Sequence, residues 1–131
     1  MKRNCEKLLS TKDGRRAIYI DSINKEIILK YINQDERHQD KFRFITEILL
    51  SGLRNSKIYT KEEINEKSKG VTAMKFFKGQ ENDRIYCKEV KSKNGSYVVI
   101  AAVLYERKKA KSLSKKEISV IEKVASYNYE I

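Results

Sequence analysis

Apolar residues recur at the spacing of an α-helix in three stretches of the chain. The clearest is Asp40–Leu53, whose apolar side chains fall on one helical face and where Gly52 supplies the left-handed residue that often ends a helix. A shorter helix is predicted over Lys25–Ile32, although its central Ile-Ile-Leu run would equally suit a strand. Near the C-terminus, Ser114 and Glu117 form the pattern of a capping box, which predicts that a helix begins there.

The second half of the chain alternates apolar and polar residues with the period of a β-strand. Polar turns separate three such runs, and Asn94-Gly95 is a strong hairpin signal between the last two. Short connections between sequential strands predict an antiparallel meander. A further strand is predicted over Arg16–Ile20, directly after the Asp13-Gly14 turn. The strands of the meander are predicted over Val71–Lys78, Asp83–Val90 and Ser96–Glu106.

These elements predict one α+β domain over residues 1–131. The N-terminal helices are expected to pack on one face of the antiparallel β-meander, and a short C-terminal helix follows it. The other face of the sheet is expected to stay partly open. Residues 1–38 are treated as an N-terminal extension whose structure the pattern does not define.

Charge changes this picture because it is concentrated in one part of the chain. The formal net charge is +11, and the segment Lys69–Lys116 holds 13 lysines and arginines against 4 aspartates and glutamates. Concentrating like charge costs self-repulsion, which a polyanionic partner offsets. Nucleic acid is therefore the favoured class of partner, and a lysine-rich solubilising surface is the alternative explanation.

The chain is expected to be cytoplasmic and not to cross a membrane. Its longest apolar run, Tyr97–Tyr105, has 9 residues, whereas about 20 are needed to span a bilayer. The first residues are charged with no apolar segment behind them, which does not favour a secretory signal. Cys5 and Cys87 are accordingly expected to be reduced thiols.

Cationic and aromatic side chains are predicted to share one face of the meander. Alternation along its middle strand places Arg84, Tyr86 and Lys88 together, and Lys75 and Lys78 flank the preceding strand. Cation contacts to phosphate combined with base stacking on tyrosine rings is the usual way single-stranded RNA is held. Crowded cations can also lower one lysine pKa enough for proton transfer during attack by a ribose 2′-hydroxyl. Further cations leave the last strand at Arg107, Lys108, Lys109 and Lys111.

Other catalytic arrangements are missing from the sequence. The one histidine, His38, lies in a charged run and is interpreted as a surface residue, and Cys87 is interpreted as a core residue. The carboxylates of Glu62, Glu63 and Glu66 are better explained by a helix surface than by a metal site. There is no glycine-rich phosphate loop. The sequence therefore predicts neither a metal nor a cofactor.

Short basic segments of the chain resemble the RelE/HigB-like toxins of type II toxin–antitoxin systems. The similarity covers about residues 40–127, and its last part looks most like the phage-derived HigB branch, where a long strand ends in paired lysines and a capped helix follows. It implies the RelE-like arrangement of helices followed by a basic meander and a short C-terminal helix. The segments that carry the resemblance are Met74–Lys78, Asp83–Tyr86, Glu106–Lys109 and Leu113–Ile118.

The resemblance also implies roles for individual residues. Arg84 would stabilise the transition state of RNA cleavage, and the Tyr86 ring would stack on a base. The candidate catalytic residues are Arg84, Lys75, Lys108 and Lys109. The candidate RNA-binding residues are Lys78, Tyr86, Lys88, Arg107 and Lys111.

The leading hypothesis is an endoribonuclease toxin that cleaves mRNA on the ribosome. A small cognate antitoxin protein would neutralise it by covering the basic face. A toxin that inhibits DNA gyrase on the same fold is one alternative, because a basic face would suit either target. A non-catalytic nucleic-acid-binding module is the alternative from another class.

Overall fold

A mixed β-sheet runs through the molecule and carries helices on both faces. The computed structural model describes residues 2–77, 82–106 and 114–131. The strands are β1 (Lys2–Ser10), β2 (Arg16–Asp21), β3 (Tyr59–Lys61), β4 (Val71–Lys75), β5 (Arg84–Lys91), β6 (Tyr97–Tyr105) and β7 (Asn128–Glu130). The helices are α1 (Lys25–Ile32), α2 (Glu36–Ser51) and α3 (Lys115–Ser126), and a 3₁₀ turn covers Glu66–Ser68.

The described strands form one seven-stranded sheet in the order β3-β4-β5-β6-β2-β1-β7. Strands β4, β5 and β6 pair antiparallel, which confirms the predicted meander. Strand β2 pairs parallel with β6, β1 antiparallel with β2, and β7 parallel with β1. The predicted layout of N-terminal helices on an antiparallel meander is therefore wrong, because strands from both ends of the chain extend the sheet and make it mixed.

One face of the sheet is covered by α1 and α2. Helix α1 has the predicted bounds, and α2 begins at Glu36, four residues before the predicted start, because the Asp35 side chain accepts the backbone N–H of His38 as an N-cap. Gly52 ends α2 in the left-handed conformation, as predicted. The core between these helices and the sheet includes Ile18, Ile20, Ile28, Ile45, Leu49, Ile85, Cys87 and Val99.

His38 belongs to this core, so its interpretation as a surface residue is wrong. It is only 5% exposed, and its ring packs edge-on against the rings of Tyr31 and Phe77. Its Nδ1 lies 2.6 Å from Asp35 Oδ1, and this hydrogen bond holds the pKa of Asp35 below its usual value. Position 38 is two helical turns before Ile45, and that spacing places both residues on the buried side of α2.

Helix α3 covers the opposite face, which was expected to stay partly open. Ile121 and Val124 join the core on that side, together with Tyr86. The Tyr86 ring is fully buried, and its hydroxyl donates a hydrogen bond to the carboxylate of Glu117. The Ser114 side chain accepts the backbone N–H of Glu117, which confirms the predicted helix start. Within the described residues, no helix combines the length and apolarity needed to cross a membrane.

The N-terminal segment, residues 1–38, adds the strand β1, which was not predicted, to the predicted strand and helix that form β2 and α1. Its central contact is the buried carboxylate of Asp21, which accepts hydrogen bonds from the Arg3 guanidinium and from Tyr129 Oη at 2.6 Å. The backbone N–H groups of Ile23 and Asn24 each donate to Asp21 Oδ1 at 2.9 Å. Burial alone would raise the pKa of Asp21, but these hydrogen bonds outweigh burial and lower it. Asp21 therefore ties β1, β2 and β7 together.

Asp21→Asn should destabilise the protein by about 1–3 kcal/mol at neutral pH, because it removes the charge that these donors stabilise. The folded-state pKa lies below the unfolded one, so this contribution is complete above about pH 4 and is lost as the pH falls further. Urea unfolding of both proteins from about pH 3 to about pH 7 should show the difference shrinking in acid. Asp40→Asn, at an exposed position on α2, should change stability little throughout; a difference for Asp21→Asn that is independent of pH would contradict this account.

Tyr86→Phe should cost about 1–3 kcal/mol of stability, because it removes the hydroxyl that donates to the buried Glu117. Tyr105→Phe is the matched control, since Tyr105 is half-buried and its hydroxyl lies 3.4 Å from Ser114 Oγ. The midpoints of urea unfolding measure both changes. Equal midpoints for the two variants would show that the buried bond does not anchor α3.

Candidate functional site

Arg84 and Tyr86 share one face of β5, as the alternation predicted, but both are engaged within the fold. Tyr86 is buried beneath α3 on Glu117. Arg84 is 13% exposed and forms an ion pair with Glu62 at 3.0 Å. The Tyr86 hydroxyl and Arg84 Nη1 therefore contact carboxylates of the chain itself, whereas Arg84 Nε is buried without a hydrogen-bond partner in the described part of the chain.

Lys88 lies on the same face and holds the C-terminal end of α3. Its ammonium donates to the backbone carbonyl oxygen of Ala125 and, at 3.1 Å, to that of Tyr127. Burial lowers its pKa. A cation is favourable at this end of a helix because the last carbonyl groups carry partial negative charge.

Lys75 lies near a different feature, since its Nζ is 3.4 Å from the backbone oxygen of Ser56. That residue lines the cleft described below. The remaining predicted site residues lie outside the described residues. These are Lys78, Arg107, Lys108, Lys109 and Lys111.

A cleft of about 440 Å³ lies on the α1/α2 side of the sheet, between the C-terminal end of α2 and β3. Its charged and aromatic lining comes from five separate segments of the chain, which only the folded sheet brings together. The neighbouring strands β5 and β6 contribute two of these residues. The charged and aromatic lining residues are Arg16, Arg54, Tyr59, Lys61, Glu89 and Tyr97.

Glu89 is the carboxylate of this cleft, and two tyrosines orient it. The hydroxyls of Tyr59 and Tyr97 both donate to Glu89 Oε2 at 2.5 Å, and Thr72 Oγ1 donates to the Tyr59 hydroxyl at 2.7 Å. No described residue donates to Oε1. If Oε1 were buried, it would be a buried oxygen without a hydrogen-bond partner, and Glu89 has no such atom in the described part of the chain. Oε1 is therefore open to solvent on a carboxylate whose other oxygen is fixed.

The two tyrosines remain hydrogen-bond donors over the physiological pH range. Burial raises the pKa of Tyr59 and of Tyr97, and the negative charge of Glu89 raises both further. Neither hydroxyl therefore ionises near neutral pH, and the orientation of Glu89 does not depend on a group that titrates there.

Arg16 is held at the mouth of the cleft by α2. Its guanidinium lies over the Tyr97 ring at 4.7 Å, and Nη1 donates to the backbone oxygen of Leu49 at 3.0 Å. Gly52 packs against it, since a Cβ at that position would lie 3.3 Å from Arg16 Nη2. A guanidinium has five N–H donors, so this geometry leaves donors for an anionic ligand.

The cleft adjoins a basic rim at the same end of the sheet. The rim is formed by two loops that are bonded to each other: Ser96 Oγ donates to the Gly14 oxygen at 2.7 Å, and Tyr97 N donates to the Arg15 oxygen at 2.8 Å. Asp13 is exposed there, and its Oδ2 lies 3.7 Å from Arg15 Nε. The cations of the basic rim, all exposed, are Lys12, Arg15, Lys91 and Lys93.

The sequence contained one signal for this site. Alternation along β5 places Glu89 on the same face as the core residues Ile85 and Cys87, and a carboxylate aligned with core positions indicates a satisfied, oriented group. Its partners gave no signal. Tyr59 lies in a three-residue strand that is too short for a periodic pattern, and Arg54 lies outside regular structure.

Comparison of the chain with protein-family models, with curated proteins and with solved structures found no match. Within residues 2–77, 82–106 and 114–131, no three His, Cys, Asp or Glu side chains gather as metal ligands would. The chemistry available at the cleft is that of one oriented carboxylate beside several cations and aromatic rings.

Gly52→Ala should displace Arg16, because the new Cβ meets its guanidinium. Gly95→Ala is the matched control, since Gly95 also has a positive φ, of 86°, but has open space around its Cβ position. In both variants the free energy of unfolding should fall by about 1 kcal/mol, because alanine at a positive φ strains the backbone. Only Gly52→Ala should shift the NMR resonance of Arg16 Hε, which senses the Tyr97 ring; an unchanged resonance would show that Gly52 does not position Arg16.

Proposed function

We propose that the protein binds single-stranded RNA at the cleft and cleaves it, and that it acts as an mRNA-cleaving toxin. The observation that carries this proposal is the Glu89 carboxylate, fixed on one oxygen by Tyr59 and Tyr97 and open on the other, in a cleft with three cations. The basic segments that resemble RelE/HigB-like toxins support mRNA on the ribosome as the target, and a cognate antitoxin as the partner.

Binding would rest on cations around an aromatic floor. Arg54 and Lys61 are exposed at the cleft and are suited to phosphate oxygens. The Arg16 guanidinium lies over the Tyr97 ring at 4.7 Å, and an arginine plane is one of the surfaces on which RNA bases stack. The basic rim extends this positive surface along the end of the sheet, so a strand longer than one nucleotide would be attracted.

Cleavage would follow from a carboxylate beside these cations. Glu89 Oε1 would accept the proton of a ribose 2′-hydroxyl, and the 2′ oxygen would form a bond to the adjacent phosphorus. The bond from phosphorus to the 5′ oxygen would break, and that oxygen would leave with a proton from the Lys61 ammonium. The Arg16 guanidinium would neutralise the charge that develops on the non-bridging oxygens. The products are a 2′,3′-cyclic phosphate and a free 5′-hydroxyl.

Glu89→Gln should abolish RNA cleavage and leave RNA binding within about twofold, because the amide keeps the shape of the carboxylate but accepts no proton. Primer extension on cellular mRNA after induced expression measures cleavage as new 5′ ends, and growth arrest reports toxicity. Glu26→Gln, an exposed change on α1, should behave as wild type. New 5′ ends at the wild-type level with folded Glu89→Gln would exclude this carboxylate as the base.

Arg84→Ala separates the cleft from the sheet face that the sequence favoured. Arg84 pairs with Glu62 away from the cleft, so a cleft nuclease should keep its cleavage pattern in this variant once the protein is shown to be folded. Loss of cleavage in a folded Arg84→Ala protein, with cleavage retained in Glu89→Gln, would return the active site to the β5 face.

A non-catalytic RNA-binding module is the second candidate. It is favoured by the two tyrosine hydroxyls on Glu89 Oε2, which also suit a carboxylate that merely shapes the cleft. In that case Arg54→Gln with Lys61→Gln should weaken RNA binding, while the wild-type protein leaves mRNA intact.

A further inference from the structure

A second recess, the groove, lies on the α3 side of the sheet at the same end. Its volume is about 360 Å³, and its lining includes Lys7, Tyr19 and Lys93. Among the residues that the structure describes, no aspartate or glutamate lines it. The polar lining is completed by Ser10, Ser92, Asn94 and Ser96.

The groove and the cleft are two sides of the same pair of strands. Arg16 pairs with Tyr97 and both line the cleft, whereas the next pair in the register, Ala17 and Val98, lines the groove. Successive side chains of a strand point to opposite faces of a sheet. The basic rim lies on the loops that end these strands, and one of its members, Lys93, also lines the groove. Positive charge therefore continues from one recess to the other around the end of the sheet.

The side chains of the groove suit a nucleotide. The Lys7 ammonium lies 6.0 Å from the centre of the Tyr19 ring, and that ring is half-buried. A fixed aromatic surface with cations beside it can take a stacked base and its phosphates. No acidic side chain among the described lining residues repels the phosphate charge there.

We infer that the groove is a second RNA subsite, and that a strand bound in the cleft continues over the basic rim into the groove. This inference rests on the proposed function, which it deepens: the substrate is an extended single strand, not a mononucleotide. An RNA long enough to reach both recesses gains contacts with Lys7 and Lys93 that a short RNA lacks.

Fluorescence anisotropy with 2′-O-methyl RNA tests this inference, because that RNA cannot be cleaved by 2′-hydroxyl attack. Wild-type protein should bind an RNA of about 12 nucleotides at least tenfold more tightly than one of about 4. The double variant Lys7→Gln with Lys93→Gln should bind the long RNA with roughly tenfold lower affinity and the short RNA with unchanged affinity. The slope of log affinity against log salt should become shallower by about 1.4 for the long RNA, at about 0.7 for each phosphate contact removed.

Two controls separate the groove from charge in general. Lys30→Gln with Lys123→Gln removes the same charge from exposed positions on α1 and α3 and should change neither affinity. Lys7→Gln alone should give about half of the slope change, which separates the groove from the rim that Lys93 also serves. Unchanged urea midpoints show that all variants are folded.

The outcomes distinguish the groove from the proposed function. Unchanged affinity of the groove variant for the long RNA, while Arg54→Gln with Lys61→Gln weakens both lengths, would overturn the groove and keep the cleft. No binding of either RNA by the wild-type protein would overturn both. If the groove variant binds anionic phospholipid vesicles more weakly than the wild-type protein but binds both RNAs equally well, the groove contacts a membrane surface and the RNA subsite is overturned.

Discussion

The arrangement of the molecule depends on the burial of β6 from both sides. Five consecutive residues of this strand, Val98 to Ala102, are at most 2% exposed, and successive residues point to opposite faces. A strand of this kind is stable only when both faces of the sheet are covered. Helices α1 and α2 supply one cover and α3 the other, so the central strands lie inside the molecule, whereas β1 at one side of the sheet has no buried residue.

The parts of the fold that the sequence predicts are those that local signals define. The meander strands are bounded by clear turns, α2 has a stop signal at Gly52, and α3 has a start signal at Ser114. Local chemistry therefore defines these elements. The sheet order depends on pairings such as that of β1 with β7, which join residues more than 100 positions apart. No local pattern reports such a pairing, and for this reason the expected antiparallel layout was wrong.

The candidate site shows the same division between local and distant information. Alternation correctly grouped Arg84, Tyr86 and Lys88, but it could not show that α3 would lie against that face and engage Tyr86 and Lys88. Charge density indicated a polyanionic partner without indicating which cations the fold itself uses. Those that remain exposed at the end of the sheet, around the cleft and the basic rim, lie mostly in loops and strand ends, where periodicity carries little information.

The contacts of Asp21 imply an order of events during synthesis. Its partner Tyr129 lies 108 residues later in the chain, so a nascent chain that has completed β1 and β2 still holds this carboxylate without one of its donors. The outer edge of β1 at residues 2–4 likewise stays unpaired until β7 has been made, and an unpaired strand edge is prone to pair with another chain. The interval between the synthesis of β2 and that of β7 is therefore the period in which association between nascent copies competes most with folding.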